Sequence, residues 1–359
     1  MPPRPRIGLV GPDRAQPCGI ADYVERLAEA LRAECDPAFV PIRAAADSPV
    51  LADCAAILVH YERSLAPDPD FLPRLGARHP GRVYVVPHEV HAEDPFAFPY
   101  ASLRAAFPPL LWLKRARYRW RHRAFAREQR LLASGYGVHR VIPLSGPNAE
   151  ILIARAPGKI LDIVPLARYA PPEPASPPAR TDWFPWGPRA VLGVFGFLNP
   201  ATDYASVFDL LAGLDPDAAL LILGGQRGGG DLRSRLESEA AARGLSPRIR
   251  ITGWLPPEQV GGHLRLCDLF LAPMRFKSNS ASLLQLLHLG RPILAADLPL
   301  TRWLRSQGAP LDLYQGRDEL RALASAYLSG RAAPPPNRYP WDFPKAARAY
   351  LRAMGFPGN

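Results

Sequence analysis

Short apolar runs recur along the chain with longer amphipathic stretches between them, and this alternation limits the fold more than any other feature. Runs at 6–10, 56–59, 82–86, 140–144 and 160–164, then at 190–195, 219–223, 248–252, 269–272 and 292–295, are rich in Val, Ile, Leu and Ala. They are too short for helices and read as strands covered on both faces. The stretches between most of them repeat apolar residues at helical spacing. In 20–32, for instance, Ile20, Val24, Leu27 and Leu31 share one face. Parallel strands need a crossover, usually a helix, so the alternation predicts an α/β class with doubly wound parallel sheets.

One segment fits neither period. Residues 169–188 include PPEPASPPARTDWFPWGP, and proline both fixes φ and withholds an N–H. This segment is predicted as a linker between two Rossmann-like domains, 1–168 and 189–335. A second proline-rich stretch, 332–340, precedes a helical pattern at about 344–354. Residues 336–359 are expected to cross back to the first domain. The chain has 359 residues, 48% hydrophobic and 21% charged, which is enough for two cores. Ligands of open parallel sheets collect beyond the carboxyl ends of the strands. Two such edges facing each other would form a cleft, so function is sought in the loops that follow strands.

Composition narrows the partners. Cys18, Cys35, Cys54 and Cys267 are scattered, with no CxxC spacing, which points to neither a zinc site nor a disulfide framework and fits a reducing compartment. The start, MPPRPRIGLVGP, is too short in its apolar part for a signal peptide. No run approaches the roughly 20 apolar residues of a membrane span. A cytoplasmic protein is expected. The net charge of +11 calls for an anionic partner. Of 44 basic residues only Lys114, Lys159, Lys277 and Lys345 are lysines, so each lysine is a less routine choice than any arginine. Within 103–132, LWLKRARYRWRHRAFAREQRLL crowds arginines between Trp112, Tyr118, Trp120 and Phe125, with Glu128 as the acid among them. A basic helix with aromatics reads as a peripheral contact with an anionic membrane at its inner face, or as a surface helix snorkelling over its own core. Nucleic acid is the weakest of the three readings.

Three loops carry chemistry. After the first strand, GPDRAQPCGIADYVERLAEAL places Gly19 at a helix start, where free N–H groups attract phosphate. It lacks the GxGxxG spacing, and an ordinary strand–loop–helix turn explains it equally well. After the third strand, VVPHEVHAEDPF gathers His88, Glu89, His91, Glu93 and Asp94. A histidine there suits a hydrogen bond to a substrate hydroxyl; no third metal ligand accompanies the two histidines, and no metal is expected. In the second half, CDLFLAPMRFKSNSASLLQLLHLGRPILAADLP places Arg275 and Lys277 before Ser278, Asn279, Ser280 and Ser282 at a helix start near 281. Hydroxyls and cations in that order suit a diphosphate.

These segments resemble the retaining glycosyltransferases of the large GT-B group, which includes sucrose synthases, glycogen synthases and bacterial mannosyltransferases. PCGIADYVERLAEAL, VVPHEVHAE, VFGFLNPATDYASVFDLLAGL, LLILGG, IRITGWLPPEQVGGHLRLCDLFLAP and SLLQLLHLGRPILAADLP follow in the family's order almost end to end. The resemblance implies a GT-B fold and transfer of a sugar from a nucleoside-diphosphate sugar to a hydroxyl acceptor, without metal. It assigns His88 to the transferred sugar or the acceptor, and Gly19 to a phosphate through its backbone. On the donor side it points to Gly196, Phe197, Thr202, Gly225, Arg227, Leu255, Arg275, Lys277, Ser278, Ser280, Ser282 and Gln285. Of these, Lys277 is the second catalytic candidate beside His88, Gln285 would read the ribose, and the 253–255 loop the base.

The sequence also departs from the family. Lys277 and Gln285 stand where the family carries a spaced pair of glutamates, and Thr202 or Asp203 stands near its usual donor-side lysine. Lys277 with Arg275 is expected to take over the diphosphate. The replaced glutamates keep two other readings open: a non-catalytic homologue that binds a partner, and a GT-B epimerase or phosphorylase-like enzyme.

Overall fold

The computed structural model describes residues 4–13, 18–63, 65–68, 70–91, 123, 125–172, 174, 176–226 and 231–357. They divide into two compact units, Met1–Ala167 with Asp342–Asn359, and Arg168–Trp341. Each unit holds one parallel sheet, with order β2-β1-β3-β4-β5 in the first and β11-β10-β9-β6-β7-β8 in the second. The chain is therefore α/β with two doubly wound domains.

In the first unit the strands are β1 (Arg6–Gly11), β2 (Asp36–Pro41), β3 (Ala56–Tyr61), β4 (Val83–Pro87) and β5 (Arg140–Val141). Its helices include α1 (Gly19–Leu31), α2 (Phe71–Arg78) and α3 (Gly146–Arg155). Every residue of β3 and β4 is buried, as near-continuous apolar strands covered on both faces require. Two expectations shift here. Residues 36–41, absent from the expected strands, form edge strand β2, where Pro37 and Pro41 are tolerated because an edge need not donate on both sides. The expected strand at 160–164 reduces to an isolated bridge between Ile160 and Val141. Its neighbour β5 is two residues long and is followed closely by Pro143, which has no N–H to continue a ladder.

In the second unit the strands are β6 (Ala190–Phe195), β7 (Ala218–Leu223), β8 (Ile249–Ile251), β9 (Leu269–Ala272), β10 (Ile293–Ala296) and β11 (Asp312–Tyr314). Between them lie α4 (Tyr204–Ala212), α5 (Leu232–Ala242), α6 (Pro257–Arg265), α7 (Ala281–Leu286), α8 (Pro299–Ser306) and α9 (Gly316–Leu328). The core joins Leu192, Val194, Phe208, Leu220, Ile222, Leu269 and Leu294, each under 7% exposed. The edge strand β11 is three residues long and had no sequence signal.

The proline-rich stretch packs onto the second unit. The Gly261 amide donates to the Pro172 carbonyl at 3.2 Å. A Cβ on Gly261 would lie 2.4 Å from that oxygen, and one on Gly262 would lie 2.6 Å from Pro174. The paired glycines of α6 thus make room for the prolines. Arg180 then ties the stretch to Asp268 at 2.6 Å, and Asp268 accepts from the Val191 amide at the start of β6. The last helix, α10 (Phe343–Ala353), is capped by Asp342 and packs against α1 within the first unit.

Candidate active site

The second unit's sheet changes winding direction between β6 and β9. From β6 the chain proceeds outward through β7 and β8, then returns to β9 beside β6 and proceeds the other way. Open α/β sheets take ligands at the carboxyl edge of such a switch point. The loops there are tightly knit. Gly196, just past β6, has φ +129°, and a Cβ built on it would sit 3.2 Å from the Ser282 hydroxyl oxygen. Gly224, just past β7, has φ +145°, and its Cβ would fall 2.0 Å from the Gly196 carbonyl oxygen. A Cβ on Gly225 would meet the Trp254 backbone nitrogen at 3.0 Å. Three consecutive loops therefore approach at backbone distance, which only glycine permits.

Around this edge the candidate residues fall into place. Phe197 stacks on Trp254, with centroids 5.6 Å apart and planes at 21°, and Trp254 is half exposed. Leu255 is half-buried beside it in sequence. Ser278 and Ser280 are buried. The Ser280 hydroxyl caps α7 by accepting from the Leu283 amide at 3.3 Å and lies 3.3 Å from the Ser282 hydroxyl. Lys277 is exposed. Arg227 lies outside the described residues, as does most of the basic stretch expected at a membrane, together with Glu93 and Asp94.

Two side chains expected to face a donor are engaged within the unit. Arg275 donates to Asp203 at 3.0 Å. Burial pushes the Asp203 carboxyl up, but bonds from the Ser206 hydroxyl and Arg275 outweigh it and hold the group below the usual range. Asp203 also caps α4. The Asp203 amide bonds to Pro273 at 2.6 Å and the Arg275 amide to Ala201 at 2.9 Å, closing the β6 and β9 loops on each other beside the Thr202–Met274 bridge. Thr202 and Arg275 border a groove of about 520 Å³ that also carries Asp231, Arg235 and Glu239. Its mixed charge does not match a diphosphate. Gln285 donates through Nε2 to the Tyr169 hydroxyl.

In the first unit the winding reverses between β1 and β3. Gly19 opens α1, and a Cβ there would meet nothing within 4 Å. His88 follows β4; its amide bonds to the Tyr61 carbonyl at 2.8 Å and its ring is buried. Its Nε2 lies 2.9 Å from Nδ1 of His60, a fully buried residue of β3. Burial pushes His88 down to about 3. Burial and the neighbouring ring lower His60 likewise, so both imidazoles are neutral. Tyr23 of α1 and Tyr350 of α10 pack on the pair at 5.6 and 5.7 Å. Near the same edge Glu128 pairs with Arg63 at 3.2 Å. Among the described residues no three His, Cys, Asp or Glu side chains converge as a metal site. No helix among them is long and apolar enough to cross a membrane.

Sequence reading missed two participants and one pairing. His60 sits in the apolar run AILVHY and passes for core. Tyr169 lies in the proline-rich stretch. Trp254 was noted only as part of its loop; its pairing with Phe197 joins loops distant in sequence and left no local signal.

A family model described as glycosyl transferases group 1 matches residues 200–328. Curated proteins include no match to this chain. Among solved structures, HepE (Alr3699) of Anabaena in complex with UDP and glucose aligns with TM-score 0.66 at 13% identity, covering 98% of this chain and 99% of that one. Sucrose-phosphate synthase of Thermosynechococcus elongatus aligns with TM-score 0.65 at 15% identity, covering 98% and 95%. WaaG, a glycosyltransferase involved in lipopolysaccharide biosynthesis, aligns with TM-score 0.59 at 13% identity, covering 96% and 95%. The chain has the GT-B fold, and its residues 200–328 are similar to the group 1 glycosyl transferases.

Proposed function

We propose that the protein transfers a hexose from a nucleoside-diphosphate sugar to a hydroxyl acceptor, with retention and without metal. The observation that carries this reading is the switch point of the second unit. There Gly196, Gly224 and Gly225 let the loops after β6, β7 and β8 close on one another beside Ser280 and Ser282, which gathers backbone and hydroxyls at the sheet edge where a diphosphate would dock. Lys277 supplies a cation at this edge, and Ser278, Ser280 and Ser282 supply hydroxyls. The Phe197–Trp254 stack and Leu255 present an apolar face suited to a base. Gly19 and His88 serve the acceptor side or the transferred sugar. Breaking the anomeric C–O bond charges the leaving diphosphate, so positioning and electrostatics supply most of the catalysis, and no protein nucleophile is required. The cellular setting that fits is the cytoplasm, with peripheral contact at the inner membrane face through residues 103–132.

A second reading, a sugar-nucleotide-binding homologue without transfer activity, has its own observation. Arg275 is held by Asp203 and Gln285 by Tyr169, so two expected donor contacts are engaged inside the unit. The test is a thermal-shift screen with UDP-, GDP-, ADP- and TDP-sugars, because a ligand that binds only the native state raises the melting temperature. No shift with any of them removes both readings. A shift accompanied by slow release of nucleoside diphosphate without acceptor favours the transferase; a shift without release favours the binder.

A further inference from the structure

The His60–His88 contact holds more information than its distance. Two neutral imidazoles 2.9 Å apart share one hydrogen. Either His60 Nδ1–H donates to His88 Nε2, or His88 Nε2–H donates to His60 Nδ1. The alternatives differ at the far atom of His60. In the first, His60 Nε2 is a bare lone pair; in the second it carries a hydrogen. That atom is buried with no hydrogen-bond partner. The rings of Tyr23 and Tyr350 pack on His60, and Phe343 closes over Tyr23 at 5.1 Å. A bare Nε2 is one unused acceptor in this buried space, whereas an N–H there would be an orphaned donor. Orphaned buried N–H groups are rarer than under-used acceptors.

We propose that His60 is a positioning residue: its Nδ1–H holds Nε2 of His88, so that His88 keeps its own hydrogen on Nδ1 and acts as a neutral donor of fixed tautomer and ring orientation. The tyrosines of α1 and α10 form the wall that keeps this pair dry. The structural part concerns this pair alone; its effect on donor binding rests on the proposed role of His88.

Two-bond proton–nitrogen correlation spectra of protein labelled with ¹⁵N-histidine test it, with His88→Gln and His60→Asn assigning the signals. Both residues should show a protonated Nδ1 and a bare Nε2. His60→Asn, whose amide N–H stands near the place of Nδ1–H, should preserve the His88 pattern. His60→Phe should replace it with averaged tautomers and weaken a stabilising sugar nucleotide about five-fold, the loss of one hydrogen bond's worth, while sparing the bare nucleotide. A protonated Nε2 on wild-type His88 overturns the proposal, and that spectrum decides it even where His60→Phe fails to fold. An unchanged Nδ1–H pattern in His60→Phe, or equal losses for sugar nucleotide and nucleotide, also overturns it. If wild type binds no sugar nucleotide yet shows the expected tautomers, the functional reading fails and the histidine pair stands.

Discussion

Gly196→Ala separates backbone strain from side-chain crowding at the switch point. At φ +129° any L side chain is strained, whatever space surrounds it. Holding a non-glycine residue in such a region costs about 1–3 kcal/mol. The new methyl would also lie 3.2 Å from the Ser282 oxygen and 3.5 Å from its Cβ, close enough to make Ser282 shift by a few tenths of an ångström. Taking about 2 kcal/mol for strain, and about 2–4 °C per kcal/mol for a unit of this size, the melting temperature should fall by about 4–8 °C. Ser282→Gly in the same chain removes the crowding and leaves the strain, so the double variant should recover only a minor part of the loss. The disturbance has a second readout. Ser282 touches Ser280, which caps α7, so sugar-nucleotide affinity should fall in the single variant. Scanning calorimetry with and without the stabilising sugar nucleotide measures both. Full recovery in the double variant would show that crowding, not backbone strain, sets the cost. Unchanged affinity in Gly196→Ala would remove this edge from the donor site.

Lys277→Ala should weaken nucleoside-diphosphate binding about ten-fold, the loss of one charge-assisted contact, and Lys277→Glu should not restore it; calorimetric titration that finds equal affinities would discard the role. Gly19→Ala should leave stability unchanged or raise it by up to about 1 kcal/mol, since its Cβ meets nothing within 4 Å and alanine favours the helix, yet it should obstruct an anion approaching the α1 start; unchanged ligand affinity would make this loop an ordinary turn. The buried histidines predict acid sensitivity. Their folded values lie below the ordinary 6.5, near 3 for His88, so folding releases protons. Stability is full above about pH 6.5 and falls below it by up to about 1.4 kcal/mol per pH unit for each ring. Urea titrations between pH 7 and 5 should show a shallower loss in His88→Gln; identical slopes would mean that His88 charges freely in the folded state.

The fold was legible where burial made the pattern simple. Strands covered on both faces, such as β3, β4 and β7, appear as apolar runs because each residue meets protein on either side. The edges were illegible for the opposite reason. In β2 only Val40 is fully buried, and β11 buries only Tyr314, so neither needed a sequence that announces a strand. The paired glycines of α6 weaken a helix considered alone, and their purpose shows only once Pro172 and Pro174 are seen against them.

The candidate site divides along the same line. Glycines and serines in strand-to-helix loops were readable, because loop chemistry is local. Charge was not. Arg275 is conspicuous as a cation in sequence, yet Asp203, far from it along the chain, holds it in the structure, and the same carboxylate caps α4. A capping aspartate has its own reason to be there, so nothing near Arg275 reveals the pairing. His60 shows the converse: in an apolar strand it reads as a tolerated core residue, and only the packing of β3 beside β4 brings it to His88. Residue type marks where chemistry can occur. Which of those groups already have partners is decided by strand order, and that is why Arg275 and Gln285 look alike as donor contacts in sequence while the fold ties Arg275 to Asp203 and Gln285 to Tyr169.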